Sequence, residues 1–517
     1  MGEELLTEGA LTEPEAVYLV DAAVADAAAE AAGGNDGGDL AQKAAGGFIW
    51  ALAGVVLLQI GSFATYVIAS RYLGPGDIGV VGKLLTVVFW VDVLLDLGMG
   101  AALIYEQEEG QSRRVDIAFT VNSFVALIVG SIVLFGAPAI AGFFHATDNV
   151  NLFRALAILI LAKGLNQVPD ALLRRNLDFK RRLGCDATRA LGRFAVATTL
   201  LVMGWGPAAM LVGVITAEWA ATILTWILVK FRPRFAFERV IAVDMMRYGL
   251  AVFGSRLVGM LWLNGDYLVV GNRLGKKAYG DYYTAFRLPE LILGYGYNIF
   301  SSIAFPTFAA ARDVGPDKLR AASLRLLRLL TLFGFTAGFG MMLVARDFIT
   351  VVFTSQFSGA IRPMEILCAA GGFAGIGFAS GDLFNAIGKP RLGLYFNLAG
   401  TPILIGGFLA VVSHGIVWVA TVHVCVIVPY SFFRIEVANR YIGTTWRQSF
   451  AAMRPAFCAS VGILALGLPV RLLMSAGLGS GLLITAAGLV GAVVGLLVGD
   501  RSAFAEINEL GHKALGR

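Results

Sequence analysis

Residues 71–79 read Arg-Tyr-Leu-Gly-Pro-Gly-Asp-Ile-Gly, and residues 273–280 read Arg-Leu-Gly-Lys-Lys-Ala-Tyr-Gly. Both stretches contain the pattern Leu-Gly-x-x-x-x-Gly, and each lies between two long apolar runs. A pattern that recurs at corresponding places in a chain indicates an internal repeat. We call these two stretches the Leu-Gly motifs, and they predict a molecule built from two related halves in parallel orientation.

The composition places the chain in a membrane. Hydrophobic residues make up 57% of it and charged residues 15%, whereas soluble domains carry roughly 25% charged residues. Apolar runs of about 20 residues recur, and each is long enough to cross a hydrocarbon core of about 30 Å. We predict an all-α polytopic membrane protein with about 14 transmembrane helices. The predicted spans are 46–70, 78–104, 115–143, 151–173, 184–204, 207–229, 247–271, 279–306, 323–350, 360–387, 391–412, 415–438, 449–473 and 476–499.

The repeat groups these spans into domains. The sequence predicts a disordered acidic N-terminal tail (1–45) and two six-helix lobes (46–229 and 247–438). An extra two-helix hairpin (449–499) and a cytoplasmic C-terminal tail (500–517) follow. Lysine and arginine crowd the alternate loops that would lie inside the cell, which predicts that both termini are cytoplasmic. The basic residues of the opposite, outer loops are fewer: Arg71, Arg273, Lys276, Lys277, Arg346, Arg362 and Arg471.

Several classes of function lack their signatures. The chain has four histidines and four cysteines, without a Cys-x-x-Cys pair or a His-Glu-x-x-His motif, so we predict no metal site and no cofactor. The basic loops follow from membrane topology and from attraction to anionic lipids, and they do not predict nucleic-acid binding. A membrane-embedded glycosyltransferase would need catalytic carboxylates and usually a large outer loop. We therefore predict a transporter with no catalytic residues, not an enzyme.

Charged residues inside the predicted spans are the candidate site. A charge at the bilayer centre costs about 2.5–3.5 kcal/mol on insertion scales, so such residues are expected to face a water-filled interior. The predicted substrate-binding residues of this cationic cavity, suited to phosphate, are Lys83, Arg256 and Arg287. The predicted ion-coupling or charge-balancing residues are Asp92, Asp96, Asp266 and Glu290. The alternative is that these groups form intramembrane ion pairs that fix helix register and contact no ligand.

Four stretches carry a resemblance to a known family: the first Leu-Gly motif, residues 96–104, residues 172–181 and residues 385–391. Together they resemble the Wzx-type polysaccharide flippases of the multidrug/oligosaccharidyl-lipid/polysaccharide exporter superfamily, over roughly residues 46 to 450. The resemblance implies two six-helix lobes around a central cavity and alternating access in the bacterial inner membrane. It also implies an undecaprenyl-diphosphate-linked oligosaccharide as substrate, contact with membrane lipids and a polysaccharide polymerase as a further partner.

Two other members of that superfamily remain as alternatives. A drug/cation antiporter would favour an acidic or aromatic cation pocket, and the lysine and arginines of the candidate cavity argue against it. A lipid II flippase would have a similar fold and a different sugar.

Overall fold

The computed structural model describes residues 37–95, 111–176, 178–232 and 234–500, and those residues contain no β-strand. Their principal helices, numbered in chain order, are α1 (Gly37–Tyr72), α2 (Pro75–Leu95), α3 (Gln111–Phe143), α4 (Val150–Arg175), α5 (Phe179–Val202), α6 (Pro207–Val229), α7 (Arg239–Arg273), α8 (Lys276–Ala285), α9 (Tyr295–Val314), α10 (Pro316–Phe348), α11 (Ile361–Phe378), α12 (Ser380–Ala386), α13 (Arg391–Val411), α14 (Ile416–Ile442), α15 (Trp446–Leu473) and α16 (Leu478–Gly499). The predicted tails, 1–45 for the most part and 501–517, lie outside the described residues.

The helices confirm the predicted fold class. In the part of the chain that the structure describes, 11 helices are long and apolar enough to cross a membrane. The predicted spans 184–204, 247–271 and 279–306 are helical too, but they are not among those 11. The chain is therefore an all-α polytopic membrane protein, and a count of 14 spans is not confirmed.

Large apolar side chains point away from the protein along these helices. Phe135, Leu473 and Val498 are 81%, 86% and 82% exposed. In water such side chains would be costly, but in a bilayer they contact lipid tails at no cost. An α-helix pairs most backbone amides and carbonyls within itself, as a hydrocarbon environment requires.

Local sequence signals set several helix ends. Gly443 ends α14 with a φ of 70°, a left-handed conformation that glycine adopts without a Cβ clash. Thr445 and Gln448 then form a capping box, in which each side chain bonds the backbone amide of the other. Pro207 occupies the first turn of α6, where a missing amide hydrogen costs nothing.

The predicted span 279–306 is a broken helix. After α8, a short helical turn at Arg287–Pro289 leads into a π-helical turn at Glu290–Gly294, and α9 follows directly. Pro289 lacks an amide hydrogen and cannot continue an ordinary hydrogen-bond ladder. Single π-helical turns of this kind occur frequently at functional sites.

The chain divides into two compact units, Met1–Gly280 and Asp281–Arg517. In the first unit, α2, α3, α4 and α6 share a core that includes Leu84, Ala126, Phe153 and Leu211. Helix α7 packs on α2 and α3 and so belongs to this unit. The boundary between the units differs from the boundary between the lobes that the repeat predicts, and the division into two six-helix lobes stays a prediction.

In the second unit, α10 is the central helix and packs against α9, α11, α15 and α16. Phe335 on α10 makes edge contacts with Phe373 of α11 and Phe457 of α15, at ring distances of 5.0 and 5.1 Å. The two helices of the hairpin, α15 and α16, contact each other at glycines. A Cβ added to Gly491 would overlap the carbonyl oxygen of Gly462, and one added to Gly462 would overlap that of Gly491. Small residues at such contacts let membrane helices approach closely.

Candidate functional site

The two Leu-Gly motifs contact each other. Gly79 in the first turns of α2 faces the backbone of Lys276, and Gly280 in α8 faces the backbone of Pro75. At either glycine, a Cβ would overlap the opposing carbonyl oxygen. Pro75 and Lys276 occupy the same position in their respective motifs, so the contact is reciprocal, as a local twofold axis would produce. The repeated glycines are therefore explained by the close approach of α2 and α8.

Lys83 lies one helical turn beyond Gly79 and is fully buried. Its Nζ donates a hydrogen bond to the carbonyl oxygen of Phe144, which follows α3. The same Nζ lies over the Tyr279 ring, 5.4 Å from its centroid. This is a favourable cation–π contact. The Tyr279 hydroxyl is 2.6 Å from the Thr86 hydroxyl. These contacts join α2, the end of α3 and α8.

Two further bonds attach the same region to α7 and α8. The Lys276 ammonium lies 2.7 Å from Asp148, and the Asn272 amide donates to the Phe143 carbonyl at 2.9 Å. Asp148 is 81% exposed, so water screens this ion pair and its net contribution is small. The contacts of Lys83, Gly79 and Gly280 are buried and hold this region together. We call this set the closed end: Gly79, Lys83, Phe144, Tyr279 and Gly280.

The predicted cavity residues have different surroundings. Lys83 is sealed in the closed end and does not line an open space in this conformation. Asp266 is 1% exposed on α7. Asp96 lies outside the described residues, and so does the side chain of Arg256. The substrate-binding and ion-coupling roles of the whole set stay predictions.

Asp92 and Arg287 each lie in an ion pair. Asp92 on α2 pairs with Lys163 of α4 at 2.7 Å. In the second unit, Arg287 pairs with Glu290 at 3.3 Å, and its guanidinium lies 4.2 Å from the Tyr283 ring centroid. The Arg287 side chain is 23% exposed and that of Glu290 is 49% exposed. This pair is therefore reachable from outside the protein, unlike Lys83.

A buried charge network on α4, α5 and α6 was missed at the level of sequence. Asp170 pairs with Arg174 and Arg182, and Arg189 pairs with Asp186 and Glu218. The pairs Asp170–Arg174 and Asp186–Arg189 have helical i, i+4 and i, i+3 spacing, a signal that was available. The pairs between helices have no such signal.

The closed end yields a stability prediction. Lys83→Met keeps the side-chain volume but leaves the Phe144 carbonyl without its donor, which typically costs about 1–3 kcal/mol for a buried group. We expect a lower melting temperature in thermal unfolding of the detergent-purified protein. Lys277→Met, at an exposed lysine of the second Leu-Gly motif, is the matched control and should melt like wild type. Equal melting temperatures for the two variants would contradict the role assigned to Lys83.

Comparison with known proteins supplies the family. A family model described as "Polysaccharide biosynthesis protein" matches residues 68–362, which include both Leu-Gly motifs and the closed end. The chain belongs to the polysaccharide biosynthesis protein family. It is 25% identical to the teichuronic acid biosynthesis protein TuaB of Bacillus subtilis (strain 168), over 73% of this chain and 79% of that protein. It is 24% identical to the lipopolysaccharide biosynthesis protein WzxC of Escherichia coli (strain K12), over 72% and 76%.

Two solved structures share the fold of this polysaccharide biosynthesis family member. The lipid II flippase MurJ, in an inward closed conformation, superposes with a TM-score of 0.70 over 91% of this chain and 100% of MurJ, at 12% identity. A multidrug resistance MATE family transporter of the MOP superfamily, in an inward-facing conformation, gives a TM-score of 0.61 over 75% of this chain and 94% of that protein, at 16% identity. The resemblance to Wzx-type exporters of this superfamily is confirmed in family and in fold.

Proposed function

We propose that the protein is a flippase that moves lipid-linked oligosaccharide repeat units across the bacterial inner membrane for surface polysaccharide synthesis. The observation that carries the proposal is the family match across residues 68–362, together with a fold shared with a lipid II flippase. The substrate would be an oligosaccharide on an undecaprenyl-diphosphate carrier, handed on to a polysaccharide polymerase. The protein would bind and move this substrate without catalysing a reaction, and both termini would lie in the cytoplasm.

The closed end supports a mechanism of alternating access. Such transporters expose a central site to one side of the membrane at a time, so one end must close while the other opens. The loops that carry the Leu-Gly motifs are predicted to lie outside the cell. The reciprocal glycine contact and buried Lys83 would then close the outer end and leave the site to be loaded from the cytoplasm. Opening toward the outside would separate α2 from α8 at the two glycines.

Arg287 is the cation that we propose meets the diphosphate of the substrate. Its guanidinium rests on the Tyr283 ring and pairs with Glu290, whose side chain is 49% exposed. An incoming phosphate can compete with such a carboxylate, because phosphate oxygens match the planar fork of arginine. The kink before the π-helical turn would position this group, and binding would release Glu290.

The Arg287→Ala variant tests this role. Because this variant loses one charge-assisted contact to phosphate, we expect its export to fall about tenfold or more. The matched control is Arg181→Ala, since Arg181 also pairs at i, i+3 with an acidic residue but is 59% exposed. Export is measured as surface polymer at equal protein level. Wild-type export by Arg287→Ala would remove this residue from substrate recognition.

Deletion of the gene tests the function itself. We expect loss of the surface polysaccharide and accumulation of lipid-linked repeat units that remain accessible only from the cytoplasmic side. Complementation with the wild-type gene should restore both. Normal polymer with altered sensitivity to cationic drugs would instead favour a drug/cation antiporter, and peptidoglycan precursors in place of polysaccharide units would favour a lipid II flippase.

A further inference from the structure

A cavity of about 420 Å³ lies in the second unit, where the C-terminal hairpin meets the end of α10. Arg346 comes from the last turn of α10, Arg362 and Glu365 from the first turns of α11, and Arg471 from the last turn of α15. A 3₁₀ turn at Ser355–Ala360 borders the same space. All three arginines belong to the loops predicted to lie outside the cell. The cavity is distinct from the closed end and from Arg287.

Two carboxylates near this cavity contact groups of the protein. Glu365 accepts from Arg471 with one oxygen and from Arg362 with the other, the latter at 3.0 Å. Asp347 is 2% exposed; its Oδ1 accepts from the Gly477 amide at 3.0 Å and lies 3.8 Å from an Arg346 Nη, while its buried Oδ2 has no hydrogen-bond partner in the protein. Three guanidinium groups thus face two carboxylates, and the cavity keeps a net positive charge.

The arginines retain donors that these contacts do not use. Arg346 donates one Nη to the Met474 carbonyl at 2.9 Å, while its buried Nε has no hydrogen-bond partner in the protein. An unpaired buried donor is costly unless a further group satisfies it. Arg362 is 77% exposed and uses a single Nη in its pair with Glu365. Donors therefore exceed acceptors on the cavity wall.

We propose that this cavity binds the phosphate group of a phosphate ester or diphosphate. A guanidinium fork donates two parallel hydrogen bonds to phosphate oxygens, and several arginines together distribute the charge of a dianion. The volume exceeds by far the roughly 30 Å³ that one water occupies in the liquid, so a group of phosphate size fits. The phosphate can come from a phospholipid headgroup or from a soluble phosphate, and the chemistry of recognition is the same.

A purely structural role for these arginines makes a different prediction. Arg471 ties α15 to α10 and α11 through the Met342 carbonyl and Glu365, and Arg346 ties α10 to the hairpin loop. Arg362 makes no such tie, since its partner Glu365 lies on the same helix. Its removal should leave the fold intact, and only a ligand-binding role would make the variant differ from wild type.

The test measures binding of pyrophosphate to the purified full-length protein in detergent. Wild type should show a saturable rise in melting temperature as pyrophosphate is added. Arg362→Gln should weaken the apparent affinity about tenfold, as expected for one charge-assisted contact, and Arg346→Gln should weaken it as well. Arg440→Gln is the matched control, because Arg440 is also 77% exposed and pairs with a glutamate on its own helix. The control should bind like wild type.

Native mass spectrometry separates the two sources of phosphate. Retention of phosphatidylglycerol by wild type, with loss in Arg362→Gln but not in Arg440→Gln, would assign the site to a lipid headgroup. Pyrophosphate binding without lipid retention would assign it to a soluble phosphate. The proposal is overturned if wild type binds neither, or if Arg362→Gln binds both as wild type does. These outcomes concern binding alone, so they are independent of whether the protein proves to be a flippase.

Discussion

Gly280→Ala is expected to reduce polysaccharide export at least about tenfold, because a single methyl group there cannot coexist with the closed end. The added Cβ would overlap the carbonyl oxygen of Pro75 and lie 2.9 Å from the Gly79 amide nitrogen. Both neighbours are backbone atoms of α2, so no side chain can rotate away. Helices α2 and α8 would have to separate, and the sealed position of Lys83 depends on their contact.

Export is measured as surface polymer in a strain that carries only the variant, with membrane protein level determined in parallel. Gly275→Ala is the control, since it lies five residues away in the same motif and a Cβ there would meet nothing within 4 Å. Gly79→Ala should reproduce the defect from the other side of the contact. Normal export by Gly280→Ala would mean that the close approach of the two motifs is not required for transport.

Gly491→Leu is expected to have the largest effect on stability. The side chain would enter the contact between α15 and α16, where Gly462 and Gly491 bring the two backbones together. Overpacking a tight core costs about 1–3 kcal/mol even for added methylenes, and a whole side chain against backbone exceeds that range. Helices α15 and α16 would have to separate, which would also break the contact of Gly495 with Cys458 and Ala459.

Thermal unfolding in detergent and limited proteolysis of the purified protein measure this effect. We expect a lower melting temperature and new cleavage within the hairpin. Gly479→Leu tests the same substitution in the first turn of α16, at a glycine whose Cβ would meet nothing within 4 Å, and should behave like wild type. A hairpin that resists cleavage in Gly491→Leu would show that the two helices do not depend on their glycines.

Helix positions were predictable wherever apolar length and local signals agreed. The predicted span 207–229 coincides with α6, because Gly206 and Pro207 mark its start. The span 279–306 was predicted as one helix, and the structure breaks it beside Pro289. The span 360–387 is likewise divided into α11 and α12. Hydropathy reports how long an apolar segment is, but it does not report whether its hydrogen-bond ladder is continuous.

The candidate site was predictable in its residue types more than in its contacts. The Leu-Gly motifs were recognised as a repeat, but the sequence does not state that the two copies touch. Lys83 was singled out because its charge lies in an apolar span. Its acceptor is the backbone carbonyl of Phe144, 61 residues away, and every residue has such a carbonyl. A partner of this kind leaves no mark in the sequence.

The wide turn at Glu290–Gly294 has a consequence for how this segment presents its side chains. In an α-helix, each added residue rotates the following side chains by about 100°, and a π-helical turn accommodates one residue more than an α-turn. The side chains of α9, which begins at Tyr295, are therefore rotated by about 100° from where a continuous α-helix would place them. A helical wheel drawn through residues 279–306 would place Tyr283 and Tyr297 on the same side of the helix. In the structure they have different neighbours, because Tyr283 contacts Arg287 and Tyr297 stacks on Phe378. The parts of this segment before and after the π-helical turn therefore contact different sets of residues.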